Sequence, residues 1–476
     1  MSRSRGFEIR EGLRSHKKLK ENKNENETSD SSEREQICEL LYKLPKLDKI
    51  FEVHRKIGEG TFSSVYLGSL RQHSSLLDKD KRWFAIKHLV PTAHPARIEH
   101  ELRCLQDIGG KHHVIGVELC LRNLDTIVFV MPYLPHKKFS EYVGDMDAAE
   151  LREYMRALLE ALRHVHSFGV IHRDVKPSNF LYDRENRRYQ LVDFGLAQRL
   201  VPGTDEEPPA PPRSSAPRKR PREAEGATPE AKRLALDLSL KTNASKISIV
   251  ETNPMPLSPR SNVKRAAPCA CAGRGAVCGA CSVRPPARAP RAGTQGFRPP
   301  EVLLRYGAQT TAVDTWACGV VLCSVLTARY PLLRAADDLA ALAELAALLG
   351  TRPLQRAAAA LGRRLITSSP RRGLCLRKLC ARLRGCPPPA PAAPTPGPRA
   401  RAPRPLLPAA SCLHCRCLTH ECICRDEDKD AAAVSPGRSV AGFPDSAFSL
   451  CWRLLQPLPA HRLSAEQALQ HEFFNS

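Results

Sequence analysis

The chain has 476 residues, of which 42% are hydrophobic and 40 are prolines, so a sizeable core shares the sequence with long segments outside it. The start lacks an apolar region and no apolar run reaches about 18 residues, so we expect neither secretion nor a membrane span. The formal net charge of +23 fits compositional drift as well as an acidic partner such as nucleic acid, chromatin or acidic substrate.

The first half of the chain begins with a polar, charged stretch, residues 1–50, which predicts a disordered extension. From residue 51 the pattern changes to three β-strands separated by turns, then an amphipathic helix from about residue 95, then two more strands. Residues 51–135 therefore form a small, β-rich lobe. Helical periodicity over residues 148–168 opens a second lobe, whose first part covers 136–200.

Two irregular stretches interrupt the second lobe. Residues 201–290 are rich in proline, arginine and serine, and residues 386–441 are again proline-rich, so both are predicted to be inserts. Helical patterns resume in residues 291–385 and close the chain in residues 442–476.

A glycine-rich hairpin lies between the first two strand patterns, with the sequence GEGTFSSV over residues 58–65. Gly58 and Gly60 would let the backbone approach phosphate groups closely. Ile57 and Val65, with Ala85 on the next strand, complete a candidate nucleotide site. Because a serine replaces the third glycine, an ordinary hairpin is an equally good interpretation of this loop alone.

A lysine follows on the next strand, in the sequence AIK at residues 85–87. Lys87 is the candidate ligand of the α- and β-phosphates. Glu101, in the helix after it, could pair with Lys87 and fix its direction. Glu99 is the alternative partner, and a solvated helix carboxylate is the alternative role for either residue.

The strongest motif is HRDVKPSN at residues 172–179, a catalytic-loop pattern at full spacing. Asp174 would orient the attacking hydroxyl and accept its proton, and Lys176 would neutralise charge on the transferred phosphoryl group. Asn179 and Asp193, the latter in a DFG sequence, are candidate Mg²⁺ ligands. Phosphoryl transfer needs positioned charge rather than covalent help, so these side chains suffice.

These motifs, in this order, resemble the eukaryotic protein kinases, which implies an α+β, bilobal fold with a β-rich N-lobe and a helical C-lobe, and ATP with Mg²⁺ as cofactors. The later sequences PPE at 299–301 and DTWACG at 314–319 resemble kinase elements, and Arg462 resembles the arginine that pairs with the glutamate of the first. The positions of Lys176, two residues after Asp174, and of Thr294, just before the PPE element, resemble those in the serine/threonine branch of the protein kinases. A pseudokinase or a nucleic-acid-binding scaffold is the alternative.

An unusually long segment of 97 residues, 196–292, separates Gly195 of DFG from Gly293, shortly before the PPE element. Phrases such as VIHRDVKPSNFLYD and PRAGTQGFRPPEVLL resemble the cell division cycle 7 kinase family, which carries inserts at these places. That resemblance implies a nuclear catalytic subunit that is inactive until an activator of the dumbbell-former type binds it. It also implies substrates in the minichromosome maintenance helicase and a role in initiating DNA replication.

Two groups of cysteines lie in the inserts. Cys269, Cys271, Cys278 and Cys281 have a spacing that suits tetrahedral zinc, and the resembling family has the same pattern there; loose thiols are the alternative. The second group offers more ligands than one zinc needs, and zinc binding and incidental enrichment are equally good interpretations. Its members are Cys412, His414, Cys415, Cys417, His420, Cys422 and Cys424.

Arginines flank the segment before the PPE element. Arg291 and Arg298, beside Thr294, lie where the residue after the phosphoacceptor should bind, which predicts a preference for acidic or phosphorylated residues there; Arg305 is a weaker third candidate. Alternatively, one arginine pairs with an acidic side chain of the fold. The basic clusters at 218–222 and 232–233 predict nuclear localisation or a solvated linker.

Overall fold

The computed structural model consists of a β-rich lobe and a helical lobe, with the candidate site residues between them. It describes residues 31–60, 63–90, 95–200, 247–251, 291–368, 370–386, 412, 415, 417, 422–425 and 439–475. Within these ranges no helix is both long and apolar enough to cross a bilayer.

The N-lobe is built on a five-stranded antiparallel sheet in the order β1-β2-β3-β5-β4. One helix, α3 (Pro95–Asp107), follows β3 and carries Glu101 into the interior. The predicted lobe of five strands and one helix is thus present. The strands are β1 (Phe51–Gly60), β2 (Ser63–Leu70), β3 (Trp83–Leu89), β4 (Leu119–Asn123) and β5 (Thr126–Pro132).

The two faces of this sheet have different roles, because successive side chains of a strand point to opposite sides. On β3, Ile86 is fully buried in a cluster with Phe84 and Tyr66 on one face. Lys87 and Leu89, on the other face, line the cleft. One strand therefore supplies both an apolar anchor and the candidate phosphate-binding lysine.

Two helices cover the apolar outer face of the sheet: α1 (31–43) and α2 (Pro45–Ile50). Leu40, Leu44 and Leu47 are at most 1% exposed against the sheet. The prediction of a disordered extension over 1–50 is therefore wrong for residues 31–50. Residues 1–30 lie outside the described residues. Apolar side chains at helical spacing gain burial on the sheet, which outweighs the polar composition of the segment.

The C-lobe is organised around α7 (Ala312–Thr327), in which every residue from Val313 to Thr327 is buried, including Trp316. Helix α5 (Ala148–Ser167) packs beside it, begun by Asp147, whose side chain accepts from the backbone of Glu150. The other C-lobe helices are α4 (Phe139–Tyr142), α6 (Pro300–Leu303), α8 (Asp338–Leu349), α9 (Thr351–Ala360), α10 (Leu376–Leu383), α11 (Asp445–Leu454) and α12 (Ala465–Leu469).

Short strands hold the loops of the C-lobe in position. β6 (Val170–Ile171) pairs with β9 (Gln198–Arg199), and β7 (Phe180–Asp183) pairs with β8 (Arg188–Leu191), so the catalytic loop and the DFG sequence are fixed at both ends. The remaining pairs are β10 (Ile247–Glu251) with β11 (Arg363–Thr367) and β12 (Ser439–Val440) with β13 (Phe443–Pro444).

Candidate active site

A cleft of about 280 Å³ opens between the lobes. Gly60 and Lys87 line its N-lobe side, and Asp174, Lys176 and Asp193 line its C-lobe side. Residues predicted from four separate motifs, up to 133 positions apart along the chain, therefore surround a single space.

The lysine of β3 is held by two carboxylates. Lys87 Nζ donates to Glu101 Oε1 at 2.6 Å and to Asp193 Oδ1 at 2.8 Å. Burial by itself would lower the pKa of Lys87, but the two carboxylates outweigh it and raise that pKa, so Lys87 stays protonated. The result is a fixed positive charge at the cleft.

The structure decides between the two glutamates that sequence analysis offered. Glu101 is 5% exposed and bonded to Lys87. Glu99 instead pairs with Arg103 on the surface of α3, with both side chains more than half exposed. The predicted Lys87–Glu101 pair is confirmed.

Asp174 lies at the centre of the catalytic-loop network. Its carboxylate accepts from Lys176 Nζ at 2.8 Å and from Asn179 Nδ2 at 3.0 Å. Thr294 donates to it twice, through Oγ1 at 2.6 Å and through its backbone N–H at 3.0 Å. Four donors therefore hold this one carboxylate at the cleft, the arrangement expected of a group that receives a hydroxyl proton.

Thr294 also links the loop before α6 to the catalytic loop, since its Oγ1 accepts from Lys176 Nζ at 2.8 Å. Gly293 permits this approach: its φ is 108°, and a Cβ there would lie 2.8 Å from the carbonyl oxygen of Arg173. The segment is thus positioned by a glycine and a threonine that face the catalytic carboxylate.

Sequence analysis assigned no role to Asp314, although the structure makes it the support of the catalytic loop. Its side chain is fully buried and accepts from the backbone N–H groups of His172 and Arg173, each at 2.8 Å, and lies 2.9 Å from His166 Nε2. The available signal was a carboxylate in the first turn of an otherwise apolar helix, α7. Such a charge is retained only where donors satisfy it.

Asp193 is placed at the cleft in a left-handed backbone conformation, with φ of 70°. The next residue, Phe194, is buried and packs against His172, with ring centroids 5.0 Å apart. Asp193 is 44% exposed, and together with Asn179 it presents the oxygen ligands that Mg²⁺ prefers. These residues fit the ion that a nucleotide phosphate chain would bring.

The glycine-rich hairpin is formed by β1 and β2. Gly58 lies opposite Val65 and Gly60 opposite Ser63, while Ile57 falls in an irregularity of the pairing. Ala85 lies two residues before Lys87 on β3, on the same face. The hairpin tip, residues 61–62, lies outside the described residues.

Both arginines of the predicted substrate pocket contact one carboxylate. Arg291 Nη2 donates to Asp338 Oδ2 at 2.5 Å and Arg298 Nη1 to Asp338 Oδ1 at 3.0 Å. Each arginine therefore has an acidic partner within the fold, as the alternative expected for one of them. Arg298 also donates to the carbonyl of Gly293 at 3.0 Å, while the side chain of Arg305 is exposed.

Several predicted features lie outside the described residues: the first cysteine group (Cys269, Cys271, Cys278, Cys281), the basic clusters, and His414 and His420. Of the second cysteine group, the thiols of Cys412, Cys415, Cys422 and Cys424 come together.

Comparison with known proteins agrees with this geometry. A family profile described as protein kinase domain matches residues 51–215 and 280–474. A Drosophila melanogaster protein named non-specific serine/threonine protein kinase Cdc7 is 35% identical, over 93% of this chain and 77% of the relative. Proteins named cell division cycle 7-related protein kinase are 34% identical in Mus musculus, over 92% of each chain, and 32% identical in Homo sapiens, over 95% of this chain and 94% of the relative.

The fold, the cleft and the match together show that the chain is a serine/threonine protein kinase. At this identity over nearly the full length of several relatives, it belongs to the Cdc7-related kinases. The class implies ATP and Mg²⁺; Lys87 and Asp193 line the cleft, and Asn179 is hydrogen-bonded to Asp174, which also lines it. A bound Mg²⁺ would supply charge neutralisation on the phosphates, and Asp174 is the residue whose position suits it to receive the hydroxyl proton.

Proposed function

We propose that this chain is the catalytic subunit of a nuclear, two-subunit kinase that starts DNA replication by phosphorylating the minichromosome maintenance helicase on chromatin. The observation that carries the proposal is the match to cell division cycle 7-related kinases along nearly the whole chain, together with the assembled cleft. We infer an activator of the dumbbell-former type from the resemblance to that kinase family. The basic clusters at 218–222 and 232–233 support nuclear residence.

Dependence on an activator subunit is the first test. The purified chain, alone and with an activator of the dumbbell-former type, is assayed with ATP, Mg²⁺ and a helicase tail rich in acidic residues. We expect stimulation of about 5- to 150-fold, the usual range of coupling between two sites. The Asp174→Asn chain with activator serves as the control. Equal activity with and without the activator would contradict the two-subunit proposal and leave the kinase assignment intact.

A preference for acidic residues after the phosphoacceptor follows from the pocket beside Thr294. Arg291 and Arg298 lie in the segment that Thr294 fixes to Asp174. Asp338, only 12% exposed, holds both guanidinium groups next to each other. A single carboxylate leaves each arginine further N–H groups, so a substrate carboxylate or phosphate can bind the pair in two-point fashion. Asp338 then acts as a positioning residue.

We expect Arg298→Ala and Arg291→Ala each to reduce discrimination between peptides that carry Asp or Ala after the acceptor. Loss of one charge-assisted contact costs about 1.5–3 kcal/mol, which is roughly 10- to 150-fold in the ratio of kcat/KM values. Arg352→Ala, an exposed arginine on α9, is the matched control. An unchanged ratio in both pocket variants would show that specificity comes from elsewhere.

Zinc in the first insert is a further part of the proposal. Cys269, Cys271, Cys278 and Cys281 have paired spacing in a short glycine- and alanine-rich run, which suits tetrahedral thiolate ligation. The variant Cys278→Ser/Cys281→Ser should hold about one zinc fewer per chain by elemental analysis. Unchanged metal content would favour loose thiols.

A further inference from the structure

Four cysteine thiols of the second insert converge at the surface of the C-lobe. The sulfur atoms of Cys412, Cys415, Cys422 and Cys424 all lie within 4.8 Å of one another. Around a zinc ion with bonds of about 2.3 Å, tetrahedral sulfurs lie about 3.8 Å apart. The Cys415 and Cys422 sulfurs are 3.6 Å apart, far longer than a disulfide bond, and none of the four cysteines forms a disulfide. The spacing is that of ligands around one ion.

Among the five cysteines of this group that the structure describes, the geometry brings four together. Their pattern is C-x₂-C-x₆-C-x-C. Cys417 lies in the same loop, but its thiol lies 3.6 Å from the carbonyl oxygen of Cys415, outside the four-sulfur group. One cysteine of the loop therefore has a different environment and provides a matched control.

The backbone around the group is arranged as thiolate ligands require. Cys412 donates its N–H to the carbonyl of Cys417 at 2.8 Å, which closes the turn that carries Cys412 and Cys415. The N–H of Cys424 points at the sulfur of Cys422, 3.4 Å away. An N–H directed at a sulfur stabilises its negative charge, as outer partners of metal ligands commonly do.

The C-terminal arm of the group is part of the folded C-lobe. Ile423 accepts from the N–H of Cys375 at 2.9 Å, and Arg425 donates its N–H to Gly373 at 2.8 Å, so residues 422–425 form an antiparallel bridge with the segment just before α10. The guanidinium of Arg425 lies 3.5 Å from the centre of the Trp452 ring on α11. A metal at the thiols would fasten Cys412 and Cys415 to this anchored arm.

We propose that Cys412, Cys415, Cys422 and Cys424 bind one structural Zn²⁺, which fastens the second insert to the C-lobe between α10 and α11. Four sulfur ligands complete a tetrahedron and leave no open position, so the site is structural and not catalytic. Of the metals that occupy tetrahedral sites of four sulfurs, zinc is the one that undergoes no redox chemistry, which suits a structural site. Binding energy at such a site becomes folding energy for the segment that carries the ligands.

The first test counts zinc in the full chain by elemental analysis. The variant Cys422→Ser/Cys424→Ser should hold about one zinc fewer than the wild type, whereas Cys417→Ser should hold the same amount. Combining the first pair with Cys278→Ser/Cys281→Ser separates the two inserts, because the two losses should add. Unchanged zinc in Cys422→Ser/Cys424→Ser, or iron in place of zinc at this site, would overturn the proposal.

The second test uses the wild-type chain, so it does not depend on a variant that folds. Each cysteine is followed by alkylation and mass spectrometry, before and after treatment with a strong chelator. We expect the four ligands to be protected until the metal is removed, and Cys417 to react in both states. Exchange of the amides of Cys375 and Arg425 should also accelerate on chelation. Equal alkylation of all five cysteines without chelator would contradict the site.

Discussion

Asp174→Asn should lower kcat by about 10²- to 10⁴-fold, the usual contribution of a positioned general base. The change keeps the size of the side chain but removes the negative charge that Lys176, Asn179 and Thr294 now surround. An amide also turns one acceptor into a donor, which then faces an ammonium, an amide or a hydroxyl. The assay is phosphate transfer to a Ser/Thr peptide at saturating ATP.

The control for this variant is Asp125→Asn, at an exposed position in the hairpin between β4 and β5. It removes the same charge far from the cleft and should keep wild-type turnover. Nucleotide binding and the unfolding midpoint of Asp174→Asn should stay close to those of the wild type. Normal turnover by Asp174→Asn, shown to be free of contaminating kinase, would remove Asp174 from catalysis.

Lys87→Arg, on the opposite side of the cleft, should also reduce phosphate transfer to the peptide. The planar guanidinium cannot reproduce the compact contacts of the ammonium with Glu101 and Asp193, although it keeps the charge. Two charge-assisted contacts account for about 3–6 kcal/mol, or roughly 10²- to 10⁴-fold in kcat/KM. Because Lys87 and Asp174 act as parts of one unit, the losses of the two single variants should not add in the double variant Lys87→Arg/Asp174→Asn.

The convergence of the candidate catalytic residues was predictable from sequence because each belongs to a motif whose internal spacing is short. The eight-residue run at 172–179 contains Asp174, Lys176 and Asn179, and the structure brings all three together. The choice of Glu101 over Glu99 was also predictable. Only Glu101 shares a helix face with the buried side chains of α3, which include Leu105.

Contacts between distant segments could not be predicted in the same way. Asp338 lies 40 and 47 residues from the two arginines it holds, and nothing local marks it as their partner. The prediction for residues 31–50, where the structure has two helices, was wrong for another reason. Composition over residues 1–50 is polar, and Leu40, Leu44 and Leu47 become core only because the sheet offers an uncovered apolar face. Both cases depend on tertiary packing.

A buried ion pair joins α6 to the segment just before α12, across the C-lobe. Arg462 donates through both terminal nitrogens to Glu301, at 2.7 and 3.0 Å, and the side chains are 0% and 2% exposed. Arg462 also donates to the carbonyls of Ala312 and Gln456 and lies over the ring of Trp316. The predicted pairing of Arg462 with Glu301 is confirmed.

Arg462→Met should lower the free energy of unfolding by about 3–5 kcal/mol, since it leaves the Glu301 carboxylate buried without its partner. Chemical denaturation, followed by intrinsic fluorescence, measures the change. Arg187→Ala is the matched control, because its pair with Glu153 is more than half exposed on both sides and such exposed pairs contribute little to stability. The double variant Glu301→Leu/Arg462→Met should recover part of the loss, because it removes the unpaired charge.

A loss for Arg462→Met no larger than that for Arg187→Ala would mean that water or another cation already satisfies Glu301. Because Glu301 begins the helix that follows Thr294, the same variant should also raise KM for peptide substrate.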